Sequence, residues 1–468
     1  MGLMQSLVKR PPLRLLLLVL TVLGLTCTTT ALADELCEAK RQEVLQHLGL
    51  SLEKQGLLSC SQVNEALALI HSPKLDISAW EYEGGFRLST TRTGETENET
   101  LDFSLGIFSL SASKNSIFVA SHPGFGGVGE YLIPPITKSV DLKDFVKGET
   151  VLQNFIPLIN NPKVSTGIEG FFRITGIKQI DNALMVNFIN WYDATGTETD
   201  TSIMIWDANN LAESKMYGPY QLQGAAHAAG WLSEIPPNLT DLFGASHITG
   251  SQSNASIASR LSIGPTAFAF NPRKHVVYGP SGTVETKALL DFSQENPLYD
   301  RNIFKKKPVF EPYSLNSDGR NKLWTLSSGA AFGFMVPGSR TYLTLGKSAG
   351  HESGIGYKIV QNNGHQCGGP CPFDAADYYS YYWAWDIVDL LKAKLGLIEP
   401  FEIMPYEHGK FPLPAAYKGL AIGGADYDAE QGRLFIAVTN GDTLGKYARP
   451  PLFLTYKRKK PTQQNETE

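Results

Sequence analysis

The sequence predicts an all-β fold of the β-propeller type, with five blades as the expected number and seven as the upper bound, preceded by a short helical hairpin. Two observations carry this. A phrase recurs along the chain: an apolar run of β-type residues, a polar turn, then a second apolar run ending on a polar or aromatic residue. It stands at Gly106 to His122 (GIFSLSASKNSIFVASH), Ile174 to Asp193, Thr266 to Pro280 and Gly419 to Asn440. Each copy reads as a hairpin turned by Asn, Asp, Gly, Ser or Lys. At irregular spacings of roughly 70–150 residues, such hairpins fit blades around an axis better than one sandwich. The second observation is composition: 44 Gly, 27 Pro and only 19% charged residues suit a chain of strands and turns.

In chain order, residues 1–33 read as a secretory signal peptide. Lys9, Arg10 and Arg14 precede the apolar run Leu15 to Leu25, and Ala31-Leu32-Ala33 offers small residues for cleavage. That run is too short for a comfortable membrane span, and Leu25-Thr26 before Cys27 does not suit lipid attachment. No later segment is apolar for long enough to span, so the mature chain is expected to be soluble, monomeric, and secreted or periplasmic. Loss of three cations with the signal takes the formal net charge from −5 to −8, which argues against nonspecific nucleic-acid binding.

Residues 34–78 carry apolar residues at helical spacing, broken at Gly49 and Gly56. Cys37 and Cys60 lie near opposite ends of that hairpin, where antiparallel helices bring them together, and a disulfide is expected. Residues 79–457 form the propeller. Two Trp-Asp phrases, Ser202 to Leu211 and Tyr381 to Leu391, end strands with a turn-capping Asp. Ring closure pairs the strand near Trp80 with Pro451 to Lys457, because a ring must bury both edges. Residues 458–468 are polar and expected to be disordered.

The densest polar cluster runs from Gly350 to Asp377. His351, His365, Cys367 and Cys371 form a ligand set that tetrahedral zinc accepts, in a structural role. The alternative is a Cys367–Cys371 disulfide with two unrelated loop histidines. His122 ends a strand beside the glycine-rich Pro123 to Gly127, where an imidazole is accessible as a base. Tyr192 holds the matching position in the next hairpin, beside Trp191. His227 and His247 lie in a long loop region suited to binding, and Arg260 follows as a clamp for carboxylate or sulfate. There is no Walker loop and no His-Glu-x-x-His. Asn316 to Trp324 departs from a sialidase-type Asp-box because Gly319 directly follows Asp318.

FSLSASKNSIFVASH, SRLSIGPTAFAF, CPFDAADYYSYYWAWDIVDLL and GGADYDAEQGRLFIAVTN resemble a group of exported bacterial β-propeller proteins. More loosely, the chain is similar to propeller-type polysaccharide lyases acting on ulvan. That resemblance implies β-elimination on a uronate-containing glycan, with His122 as base, Tyr192 as acid and Arg260 as carboxylate clamp. The alternative expectation is a noncatalytic propeller that binds a glycan or protein partner through its rim.

Overall fold

The structure, a computed structural model, describes residues 35–50, 57–158, 172–191, 193, 198–251, 262–275, 279, 281–304, 316 and 318–459. It divides into two compact units, residues 1–71 and 72–468. In the first, helix α1 (residues 35–48) and helix α2 (Cys60–His71) bury Val44, Leu45, Leu48, Val63, Ala66, Leu69 and Ile70. The expected Cys37–Cys60 disulfide is present. Among the described residues, no helix is long and apolar enough to cross a membrane.

The second unit is a five-bladed β-propeller. β1 (Trp80–Leu88) comes first and waits for the C-terminus. Blade 1 holds β2 (Phe108–Leu110), β3 (Ser116–Ala120), β4 (Gly127–Leu132) and β6 (Val151–Pro157), while the short β5 (Lys147–Gly148) lies on β1. Blade 2 holds β7 (Phe172–Ile180), β8 (Ala183–Asn190), β9 (Ser202–Ile205) and β10 (Met216–Leu222). Blade 3 holds β11 (Leu232–Glu234), β12 (His247–Thr249), β13 (Ala267–Phe270) and β15 (Lys287–Leu290), and β14 (Gly282–Val284) extends blade 2. Blade 4 holds β16 (Gly329–Met335), β17 (Thr341–Ala349), β20 (Tyr378–Asp386) and β21 (Glu407–Lys410). A small hairpin, β18 (Ile355–Tyr357) with β19 (Pro370–Pro372), is inserted between its second and third strands.

Blade 5 takes β22 (Ile422–Asp428), β23 (Arg433–Val438) and β24 (Leu452–Arg458) from the C-terminal end and β1 from the other. β1 and β24 run antiparallel from Trp80 opposite Arg458 to Phe86 opposite Phe453, the closure expected from the sequence. Phe86 and Phe453 are fully buried and stack with ring centres 5.1 Å apart, so the seam is held by packing as well as by its ladder. β24 continues through Arg458, one residue beyond the expected end of the propeller; residues 460–468 lie outside the described residues.

Around the axis the innermost strands follow one another as β2, β7, β11, β16 and β22, and β22 returns to β2. They approach closely. A Cβ on Gly176 of β7 would lie 2.0 Å from the Gly230 carbonyl oxygen, and one on Gly424 of β22 would lie 2.2 Å from that of Gly106. Glycine is required there because backbone meets backbone. Each blade buries both faces against its neighbours, so its strands read as long apolar runs rather than strict alternations.

Candidate functional site

The innermost strands begin, and the second strands end, on the same face of the ring. On that face the axis opens into a pocket of about 150 Å³. Its walls include Leu105, Ile107, Ile174, Ile189 and Ile422. Arg173, the second residue of β7, and Lys347, near the end of β17, both line it. Arg173 sits opposite Ile189 in the β7–β8 ladder, two residues before Trp191, which also lines the pocket. This register lays the guanidinium over the indole, 3.5 Å from the ring centre, a cation–π contact that fixes it without neutralising it.

Neither cation has a carboxylate partner among the described residues, and no described lining residue is Asp or Glu. Two nearby hydroxyls are engaged by backbone: Thr175 Oγ1 donates to the Ala229 carbonyl, and Thr439 Oγ1 to that of Leu105. Burial pulls the Lys347 ammonium below its ordinary value, and pulls Arg173 down too, though a guanidinium stays charged. The pocket is an apolar cup with two uncompensated cations, which attracts an anion in a setting of weakened dielectric screening.

The far end of the axis is built in the opposite way. Lys178, about 16 Å further along β7 at strand rise, is buried within 3.3 Å of Asp426 and 3.4 Å of Glu234. Asp426 also accepts from Ser109 Oγ and from the Leu110 and Tyr427 amides. Burial alone pulls Lys178 down, but the two carboxylates outweigh it and hold the ammonium above its usual value. Lys178 in turn holds the Glu234 carboxyl low. That end is a satisfied plug.

Trp191 is the residue expected at a binding site that the structure places in the pocket. His122 lies on the same face, in the loop after β3, and its neighbour Pro123 lines a small recess shared with Arg173. The His122 Nδ1 accepts from the Gly124 amide at 2.9 Å, so the ring proton sits on Nε2. Tyr192 and Arg260 lie outside the described residues. His227 faces Asp291, Nδ1 to Oδ1 2.6 Å, and is not among the pocket's lining residues. His247 begins β12 at the opposite end of the axis, buried and bonded to Ser246; burial first, then Lys178, pushes it down to about 4.

The expected zinc ligand set needs correction. Cys367 and Cys371 form a disulfide, so their sulfurs are not thiolates, the form zinc binds. His351 is buried, its Nε2 within 2.7 Å of Ser348 Oγ and its ring between Tyr379 and Tyr381, while His365 is exposed on the inserted hairpin. These four residues do not fit a metal in this form, and no group of three or more potential ligands gathers elsewhere among the described residues.

Sequence reasoning missed Arg173 and Lys347. The signal was present: each is a cation inside an apolar strand phrase, FFRITGIKQI and YLTLGKSA. A strand cation with no nearby carboxylate is uncommon unless it faces a cavity.

No family model matches the chain, and no curated protein matches it. Among solved structures it is similar to the α-L-arabinofuranosidase PaAbf62A of Podospora anserina, solved in complex with cellotriose. That similarity has 9% identity and a TM-score of 0.32, and covers 81% of this chain and 98% of that one. It is also similar to the WD40 repeats of RRP9, at 7% identity and a TM-score of 0.26, covering 80% and 99%. Its own strand order defines the class: a five-bladed propeller closed by its N-terminal strand, with a cationic cup at one end of the axis.

Proposed function

We propose that this chain is an exported, monomeric propeller that binds a carboxylate-bearing glycan of the uronate type in its axial cup. The observation that carries the reading is the convergence of Arg173 and Lys347 on one pocket with no described acceptor for either. A uronate offers what such a pocket lacks: a carboxylate for the guanidinium and ammonium, and C–H ring faces for the aliphatic wall. The test is calorimetric titration with galacturonate and with its carboxyl-reduced counterpart, on the native chain, Arg173→Gln and Lys347→Met. Binding of the acid alone, weakened at least tenfold by either substitution, is the expected result. Equal binding of the neutral sugar overturns the reading.

Eliminative cleavage of the same ligand is the second reading, and Lys347 is the observation that favours it. Lys347 lines the same cup as Arg173 with no described carboxylate to hold its proton, so in its neutral form its amine can accept the proton α to a carboxylate held by Arg173, while the β carbon–oxygen bond breaks and leaves an unsaturated uronate. His122, the base proposed from the sequence, has its Nδ1 taken by the Gly124 amide and can offer a hydrogen bond to the ligand through Nε2–H. Tyr192, proposed from the sequence as the acid, would protonate the leaving oxygen, and Arg260 would clamp the carboxylate together with Arg173. Ultraviolet absorbance of the unsaturated product, abolished by Lys347→Met, checks this step; no absorbance change with any uronate polymer removes it.

A further inference from the structure

The mouth of the cup continues onto a second surface, made by the two loops that leave it. Phe103 stands two residues before Leu105 of the pocket wall, its side chain 46% exposed. Its φ of 54° places a bulky residue in the left-handed region, a conformation that persists only where the surroundings impose it. The other loop begins at Thr439 of the wall and carries Leu444, 42% exposed, and Tyr447, 75% exposed.

The two loops are bound to each other. The Arg449 amide donates to Asp102 Oδ1, and Thr439 Oγ1 donates to the Leu105 carbonyl. Asp442 of the second loop pairs with Arg87 of β1 and accepts from the Leu444 amide, while within the loop Arg449 Nη1 donates to the Gly445 and Ala448 carbonyls. These groups turn inward, while Leu444 and Tyr447 face outward, the Tyr447 ring with the Lys446 ammonium 4.9 Å from its centre. His122 meets the Phe103 ring edge-on at 6.3 Å and braces it. An open loop with engaged polar groups and outward aromatic rings is a surface prepared for contact.

We propose that Phe103 and Tyr447 form a second subsite, which packs against the ring faces of the sugar units adjoining the uronate held in the cup. The occupant follows from continuity: the platform starts at residues that themselves line the cup, so a chain leaving the cup on that side crosses it. This inference rests on the proposed function and adds that the ligand is a polymer segment rather than a single acid.

The test is calorimetric titration of the full chain with galacturonate and with its short oligomers, comparing native, Phe103→Ala/Tyr447→Ala and Lys347→Met proteins. Native affinity is expected to rise roughly tenfold with chain length, the scale of one or two aromatic contacts. The rim variant loses that gain and keeps the single-unit affinity, while Lys347→Met weakens every length alike. Both rim residues are exposed, so an unchanged melting temperature confirms folding. Single-unit binding without a length gain, or a gain that survives in the rim variant, overturns the subsite and leaves the cup standing. No binding at any length overturns both.

Discussion

Acid should loosen blade 4 through one histidine. His351 is 3% exposed, with its Nε2 held by Ser348 Oγ at 2.7 Å and its ring 4.9 and 5.1 Å from those of Tyr379 and Tyr381. Burial holds its pKa at about 4 against 6.5 for the free side chain, despite the opposing pull of Asp377. The folded chain therefore binds fewer protons here than the unfolded chain between those two values, and stability must fall as pH drops through that window. The difference converts to about 2 kcal/mol lost by pH 5 and about 3 kcal/mol below pH 4. Urea unfolding of the native chain and His351→Gln, at pH 7 and at pH 5, measures it, because the amide keeps a partner for Ser348 without titrating. The variant should lose about 2 kcal/mol less than the native chain over that range. Parallel losses in the two proteins would refute the argument, placing the acid sensitivity elsewhere, with His247 the next group to examine.

Three further outcomes are expected. Lys178→Met removes the cation from a buried pair and leaves Asp426 with three other donors, so unfolding should become easier by about 3 kcal/mol; urea titration checks this, and Asp426→Asn in the same chain should restore part of the loss. Phe453→Ala empties the seam between β1 and β24 and should cost about 3–5 kcal/mol, with hydrogen exchange rising first along β1. Alkylation of the unfolded, unreduced chain should leave Cys37, Cys60, Cys367 and Cys371 unlabelled by mass spectrometry. By loop length, Cys60→Ser should then cost its unit about 3 kcal/mol and Cys371→Ser about 2 kcal/mol.

The architecture was legible because propeller formation is written in local pattern. Hairpin phrases at Phe108 to Ala120 and Ile422 to Val438 became the inner strands of blades 1 and 5, and the strand at Trp80 found β24 because a ring has no other way to bury its edges. The site was legible only in part. The histidines and Arg260 are the residue types associated with chemistry, whereas the cup is made by a lysine and an arginine embedded in apolar strands. Their distance in sequence, 174 positions, is bridged only by the ring. The cysteine cluster failed for a different reason: two thiols and two imidazoles close in sequence satisfy zinc or a disulfide equally, and only the geometry of the inserted hairpin separates them.

Lys178 and Lys347 decide how the axis should be understood. Both lie on strands of the ring, and both pay the desolvation cost of leaving water. At Lys178 the fold meets that cost with Asp426 and Glu234. At Lys347 no described carboxylate does so, and the neighbouring Arg173 is steadied by an indole, which fixes its position and leaves its charge in place. A scaffold that neutralises one buried lysine but leaves another unneutralised in the same cup as an arginine has a field it does not need for stability. Removing Lys347 should therefore do what removing Lys178 cannot: Lys347→Met should raise the urea midpoint, because a desolvated ammonium with no described carboxylate disappears, while weakening anion binding. A lower midpoint would mean that the lysine is held by a partner after all, and the cup would lose the free charge on which its proposed role depends.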